Sequence, residues 1–150
     1  CVLVGLPKKN SRVAERLISF INKNELNNVV KFTGKCMDMP AAYKVCDIVV
    51  SPAEKPEGLG RIIVEAQAMQ RIIIASAHGG SVELIKNNYN GFLFNPLDEY
   101  DLANKIKHTI YLPKEKKERI IAIANELVRE QYNIDKMYEA NLKLYNSLIQ

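Results

Sequence analysis

An α/β fold, a parallel sheet with helices on both faces, is the architecture this sequence predicts, and three features predict it. Short apolar runs rich in Ile and Val alternate with segments of helical spacing, the pattern of a parallel sheet with crossover helices. Two strand-glycine-helix units follow one another: Ile48-Val49-Val50 before the turn at Gly58, and Ile72 to Ser76 before Gly79-Gly80. Successive units of this kind bring their helix N-termini to the sheet edge where open α/β sheets bind ligands. Finally, 150 residues at 47% hydrophobic can bury one good core, which fits a single domain over residues 1–150.

The elements follow in order. Cys1 to Gly5 reads as a strand, and Val13, Leu17, Ile18 and Ile21 lie at helical spacing in a segment from about Ser11 to Lys23. A strand over 29–33 leads to a helix opened by Asp38 and Pro40, then to a buried strand at Ile48-Val49-Val50. The helix from Gly58 carries Ile62, Ile63, Val64, Ala66, Ala68 and Met69, apolar nearly all round, as in a helix buried between layers. Arg71 to Ser76 reads as a short, fully buried strand, Ser81 suits an N-cap, and 92–94 is a short strand. From Asp98 the chain becomes a helical C-terminal extension. Asp98 and Asp101 suit a first turn, Leu102, Ile106 and Ile110 form its stripe, and Pro113 ends it. A second helix carries Ile120, Ile123, Ala124, Leu127 and Val128. A third carries Met137, Tyr138, Leu142, Tyr145, Leu148 and Ile149, a stripe with no evident partner in the sheet.

Composition narrows the function. The balance of 21 basic and 17 acidic residues gives +4, which modestly favours anionic partners and is too small to argue for nucleic acid. Lys114, Lys116, Lys117 and Arg119 are interleaved with Glu115 and Glu118, as on a solvated helix start. Three cysteines without C-x-x-C spacing point to a reducing compartment and not to a metal site, and His78 and His108 are too few to build one. No apolar run reaches the ~18 residues of a membrane span. The chain starts inside an apolar strand at Cys1, as a fragment of something longer would.

The most informative stretch is Pro56-Glu57-Gly58-Leu59-Gly60-Arg61-Ile62-Ile63-Val64-Glu65. Two carboxylates flank a glycine turn that opens a helix, eight positions apart (65 − 57 = 8). Seven helical steps from Gly58 to Glu65 would cover roughly 10 Å, close to two turns, returning Glu65 to the face on which the helix began. A ligand along that face sets an anionic group against the free amides of the first turn, while carboxylates at both ends accept hydrogen bonds from hydroxyls. Hydroxyls at both ends with phosphate between them describe a nucleotide sugar. Arg61, a cation in a first turn, answers an acid or a phosphate, because it opposes the helix dipole. His78 stands beside the glycine pair, where it bonds either a ligand oxygen or nearby backbone. Lys8 and Lys9 follow the first strand within reach of a phosphate, or are simply exposed.

At this point the residues resemble a known family. Glu57 through Glu65-Ala66 looks like the E-x7-E signature of the retaining glycosyltransferases of family GT4, and Ala75-Ser76-Ala77-His78-Gly79-Gly80-Ser81-Val82-Glu83 looks like the glycine-pair segment that follows it. Val30 to Gly34 resembles the family's F-x-G strand end. Tyr43 through Ser51 and Pro52 resembles its Y-x-x-A-D-I-x-V-x-P-S segment, and Asn90 to Pro96 resembles its G-x-L-x-x-P segment. Several ordered landmarks over most of the chain are more specific than one motif.

The resemblance implies a Rossmann-like domain, the C-terminal, donor-binding half of a two-domain GT-B enzyme. It implies that Glu57, the catalytic candidate, contacts donor-sugar hydroxyls. The amides around Gly58, Leu59 and Gly60 would approach sugar and diphosphate, and Glu65 would hold the ribose hydroxyls; Arg61, His78, Gly79 and Gly80 complete the donor-binding set. The donor is then a nucleoside-diphosphate sugar, with no cofactor or metal. The expected partners are an N-terminal acceptor domain and a lipid-linked or saccharide acceptor at a membrane surface. The wording Glu-Gly-Leu-Gly-Arg is nearest to bacterial members that build cell-envelope polysaccharide or lipopolysaccharide, which implies a cytoplasmic protein, free or at the inner membrane. Other readings are a binding remnant without turnover and a GT-B sugar-nucleotide epimerase. The sequence departs from the family at Gln70-Arg71-Ile72, where Gly-x-Pro is usual, and in the first turn, Gly5-Leu6-Pro7-Lys8-Lys9-Asn10. Because the family's basic Arg and Lys pair precedes the first strand, the 150-residue chain is expected to bind donor without transferring sugar.

Overall fold

A computed structural model describes residues 1–5 and 11–149. Lys8, Lys9 and the altered first turn lie outside the described residues. The chain divides into two compact units, Cys1–Ala42 and Tyr43–Gln150. In the first, β1 (Val2–Val4) pairs in parallel with β2 (Lys31–Gly34). Between them run α1 (Arg12–Lys23), which starts after Ser11 as the sequence predicts, and a short 3-10 turn at Leu26–Asn28. Only Ile21 of the α1 stripe is buried; Val13, Leu17 and Ile18 are exposed. The helix α2 (Met39–Lys44) is opened by Asp38, whose Oδ1 accepts from the Ala41 amide at 3.0 Å, the N-capping arrangement expected of that residue.

The second unit holds the site. Its sheet has the order β3-β4-β5 and all pairs are parallel: β3 (Ile48–Ser51), β4 (Ile72–Ser76) and β5 (Phe92–Phe94). Every residue of the central strand β4 is buried, as its run of isoleucines predicts. β3 is less covered than expected: only Ser51 is buried. Successive β4 residues face opposite sides. Ile72 and Ile74 pack with Phe92, Phe94 and Ile120, beside Leu102 and Ile106, so α5 (Glu99–Tyr111) and the start of α6 (Lys114–Gln131) cover that face. Ile73 and Ile85 close over Gly91 from the other direction, after α4 (Ser81–Leu84).

The helix α3 (Arg61–Ala68) departs from expectation at its start and in its burial. It begins at Arg61, not at Gly58, and buries Ile63, Ala66 and Gln67 while Ile62 stays exposed. It is therefore a one-sided helix rather than one wrapped on all sides. Its C-terminus forms a Schellman motif: the Arg71 amide donates to Ala66 O at 2.9 Å and the Gln70 amide to Gln67 O at 3.0 Å. Asn125 of α6 adds Nδ2 bonds to Gln67 O and Ala68 O, at 3.1 and 2.9 Å. The Gln67 side chain in turn donates to Asn90 O at 3.0 Å.

In α5, Asp98 caps the Asp101 amide and Asp101 accepts from the Asn95 amide, as expected of a first turn rich in acid. The inward stripe steps from Ile106 to Thr109 and leaves Ile110 exposed. Thr109 tolerates burial because its hydroxyl donates to Lys105 O at 2.8 Å. α6 buries Ile120, Ala124, Asn125 and Val128. The last helix, α7 (Ile134–Leu148), buries none of its residues, so the stripe of Met137, Tyr138, Leu142 and Tyr145 stands exposed. Among the described residues no helix is long and apolar enough to cross a membrane.

The Schellman turn generates a prediction. Gln70 sits at φ +59°, a left-handed conformation that costs a side-chain-bearing residue roughly 1 kcal/mol. Glycine has no such cost there. Gln70→Gly is expected to raise the unfolding free energy by about 0.5–1 kcal/mol, read by urea unfolding; a loss of stability would contradict this description of the turn.

Candidate functional site

Two loops leave the C-terminal ends of β3 and β4. The first runs from Pro52 to Gly60 and carries Glu57, Gly58 and Leu59; the second runs from Ala77 to Gly80. They touch through backbone. The Gly80 amide donates to Glu57 O at 2.8 Å. A Cβ on Gly79 would lie 2.5 Å from Glu57 O and 2.8 Å from Glu57 N, and one on Gly80 would run into Gly58 O. Gly79 also has φ +54°. The glycine pair is thus the condition for bringing the second loop onto the first.

His78 makes a second tie, with Nε2 2.9 Å from Ala53 O. The ring bonds backbone, the second of the alternatives its position allowed. Bonding through Nε2–H leaves Nδ1 as an acceptor, and Nδ1 is buried without a partner among the described residues. Ser81 is not the N-cap expected of it: Gly80 occupies that position without a side-chain bond. The Ser81 hydroxyl instead turns back to the strand end, in contact with Ser76 O, His78 O and the His78 amide. These residues and Ser51 line a narrow cavity beneath Glu57 and Gly60.

The first loop ends at Gly60, the N-cap of α3, with φ +60°. Its carbonyl accepts the Ile63 amide at 2.8 Å. The amides of Gly58, Leu59, Gly60, Arg61 and Ile62 have no acceptor among the described residues; those of Gly60, which is buried, Arg61 and Ile62 belong to the positive end of α3, and those of Gly58 and Leu59 to the loop leading into it. Gly80 is different, since its amide is engaged by Glu57 O. Leu59 is 58% exposed and Glu57 is exposed as well.

The two carboxylates have different surroundings. Glu57 makes no side-chain hydrogen bond or ion pair among the described residues. Glu65 is half-buried, with Oε2 accepting from the Tyr43 hydroxyl at 2.8 Å and Oε1 from Arg61 Nη2 at 3.2 Å. Arg61 therefore answers an acid on its own helix, as one of its two expected partners. Because α3 starts at Arg61, only four helical steps lead to Glu65 (65 − 61 = 4), about 6 Å and little more than one turn. The two-turn geometry expected from Gly58 is replaced by a loop and one turn, which still leaves the free amides between the acids in sequence. Tyr43 was not singled out as a site residue from the sequence. It lies in α2, 22 residues before Glu65 (65 − 43 = 22), and no local spacing joins the two.

The glycine contacts predict a contrast. A Cβ on Gly58 meets nothing within 4 Å, whereas one on Gly80 collides with backbone. Gly80→Ala is expected to cost about 1–3 kcal/mol, the usual range for overpacking. Gly58→Ala should change stability by no more than about 0.5 kcal/mol. Urea unfolding of both variants checks this, and equal effects would contradict the loop-on-loop contact.

The chain is similar to known glycosyltransferases. The family model described as Glycosyl transferases group 1 matches residues 1–140. The N,N'-diacetylbacillosaminyl-diphospho-undecaprenol alpha-1,3-N-acetylgalactosaminyltransferase of Campylobacter jejuni is 31% identical over 149 residues, covering 99% of this chain and 37% of that protein. The crystal structure of a glycosyltransferase from Rickettsia africae matches with TM-score 0.94 at 30% identity, over 100% of this chain and 40% of that one. That of Anabaena HepE in complex with UDP-glucose matches with TM-score 0.89 at 29% identity, over 97% and 40%. The chain spans 29% and 37% of the length of two curated relatives, so it corresponds to a part of each. With the family model running through both units and solved glycosyltransferases of the GT-B fold superposing on nearly every residue, the chain belongs to the Glycosyl transferases group 1 family.

Proposed function

We propose that this chain is the donor-binding, C-terminal domain of a two-domain glycosyltransferase of the GT4 type, which binds a nucleoside-diphosphate sugar and transfers the sugar with retention of configuration. The observation that carries the reading is the run of free amides from Gly58 to Ile62, bounded in sequence by an unpartnered carboxylate, Glu57, and a positioned one, Glu65. Amides at a positive helix terminus suit a diphosphate. A carboxylate already oriented by donors suits a vicinal diol, since its remaining lone pairs point in set directions. Glu65 is therefore assigned to the ribose and Glu57 to hydroxyls of the transferred sugar. Arg61 stands near enough to the helix start to add positive charge there, and Gly79, Gly80 and His78 hold the loop that carries Glu57.

UDP is the first nucleotide to try, because HepE, a relative of similar fold, is seen with UDP-glucose. A role in cell-envelope synthesis, on a lipid-linked or saccharide acceptor at the membrane, is supported by the likeness to the Campylobacter enzyme, which acts on a diphospho-undecaprenol-linked sugar. In this reading the acceptor site and the cations that steady the departing diphosphate belong to other parts of the enzyme. The loss of one preorganised electrostatic contact typically costs about 10² to 10³ in rate. The 150-residue chain is accordingly expected to bind donor and to leave it intact.

The reading is tested by thermal shift and calorimetry with UDP, GDP, ADP and their sugars. A ligand at 100 times its dissociation constant should add roughly 2.7 kcal/mol of stability. Glu65→Gln should weaken the free nucleoside diphosphate by about 1.5–3 kcal/mol. Glu57→Ala should leave the free diphosphate nearly unaffected and weaken the sugar nucleotide. Binding of none of these nucleotides, or equal losses for both ligands in the Glu57 variant, would contradict the assignment.

A further inference from the structure

We propose that Tyr43 is the positioning residue for Glu65: by donating to Oε2 it sets the plane of the carboxylate and so decides how well the site distinguishes a ribose diol from a deoxygenated sugar. The proposal rests on the reading that Glu65 meets the ribose.

The two partners of Glu65 are unequal. Arg61 is 83% exposed along its side chain, and an exposed i,i+4 pair contributes little and is readily exchanged for water or ligand. Tyr43 is 5% exposed, and its ring turns about only two side-chain bonds, so its hydroxyl is delivered from a packed position. The terminal torsion of a glutamate is soft. Without a fixed donor the carboxylate rotates, and its acceptor directions rotate with it. A bond of 2.8 Å from a buried hydroxyl to Oε2 removes that freedom on one side and leaves further lone pairs of both oxygens for incoming hydroxyls.

The hydroxyl also keeps its proton. Burial raises the Tyr43 pKa above its ordinary value, and the hydrogen bond and negative charge of Glu65 raise it further, against a small opposing effect of Arg61. Tyr43 therefore stays protonated, and a donor, throughout the neutral range. A tyrosine kept only to fill the core would need some partner for its hydroxyl. Here that partner is the carboxylate proposed to meet the ribose.

The test is a binding comparison on the protein by calorimetry. UDP, GDP and ADP are each measured against the 2′,3′-dideoxy form, for the wild type, Glu65→Gln and Tyr43→Phe. The ring and its packing survive in Tyr43→Phe, and thermal unfolding confirms that the variant is folded. The expected result is that the wild type prefers the ribose form of its nucleotide about tenfold or more. Tyr43→Phe should bind that ribose form about 5- to 20-fold more weakly, while the dideoxy form changes less than about twofold, so the preference collapses as it does in Glu65→Gln. If Tyr43→Phe weakens both forms equally, or neither, while Glu65→Gln still abolishes the preference, the positioning role is wrong and the ribose assignment stands. If the wild type shows no preference in any pair, the ribose assignment fails and takes this proposal with it.

Discussion

The site depends on a contact between two stretches of backbone. Gly79 and Gly80 bring the loop after β4 so close to the loop after β3 that the Gly80 amide donates directly to Glu57 O. No side chain fits between them. This contact determines where Glu57 is held, and through Gly58 to Gly60 it determines where α3 starts and which amides stay free. His78, bonded to Ala53 O, and Ser81, tied to the end of β4, brace the same junction. The acidic loop after β3 is thus docked on the loop that follows the fully buried strand β4, rather than being an independent flap.

The two carboxylates show how one loop-helix junction produces two kinds of acid. Glu65 is half-buried and ionised groups in such a setting need partners; Tyr43 and Arg61 supply them. Glu57 is exposed, needs none, and keeps its lone pairs for what arrives from solvent. One acid is preorganised by the fold and the other is placed by its backbone alone. In the proposed reading that difference, more than their common charge, is the reason for giving the ribose diol to the first and hydroxyls of the transferred sugar to the second.

Much of this was legible in the residues. The isoleucines of β4 announced a fully buried strand, the alternation of strands and helices announced parallel pairing, and the glycine pair announced a turn at the edge where open α/β sheets bind ligands. Glu57 and Glu65 stood out because acids beside a glycine turn and among apolar residues require a reason. The start of α3 was not legible, because nothing local distinguishes Gly58 from Gly60 as a cap: both are glycines, and the helix begins after the later one. The burial of Ile110 and Ser81's capping were misjudged for a related cause. Thr109 and Gly80 took those places, since a threonine bonded to its own helix can be buried and a serine can bond a strand end instead. Tyr43 was missed because its partner is 22 residues distant (65 − 43 = 22), and pairing across elements leaves no periodic trace.

The loop-on-loop contact is tested most directly by amide hydrogen exchange at Gly80 in the ligand-free protein, followed residue by residue by NMR. A backbone bond held between two docked loops opens only with the surrounding structure. The account predicts exchange slowed on the order of a thousandfold or more relative to an unstructured peptide, comparable with the amides of β4. An exchange rate at Gly80 close to that of an open loop, with β4 well protected, would show that the two loops move independently and would contradict the account.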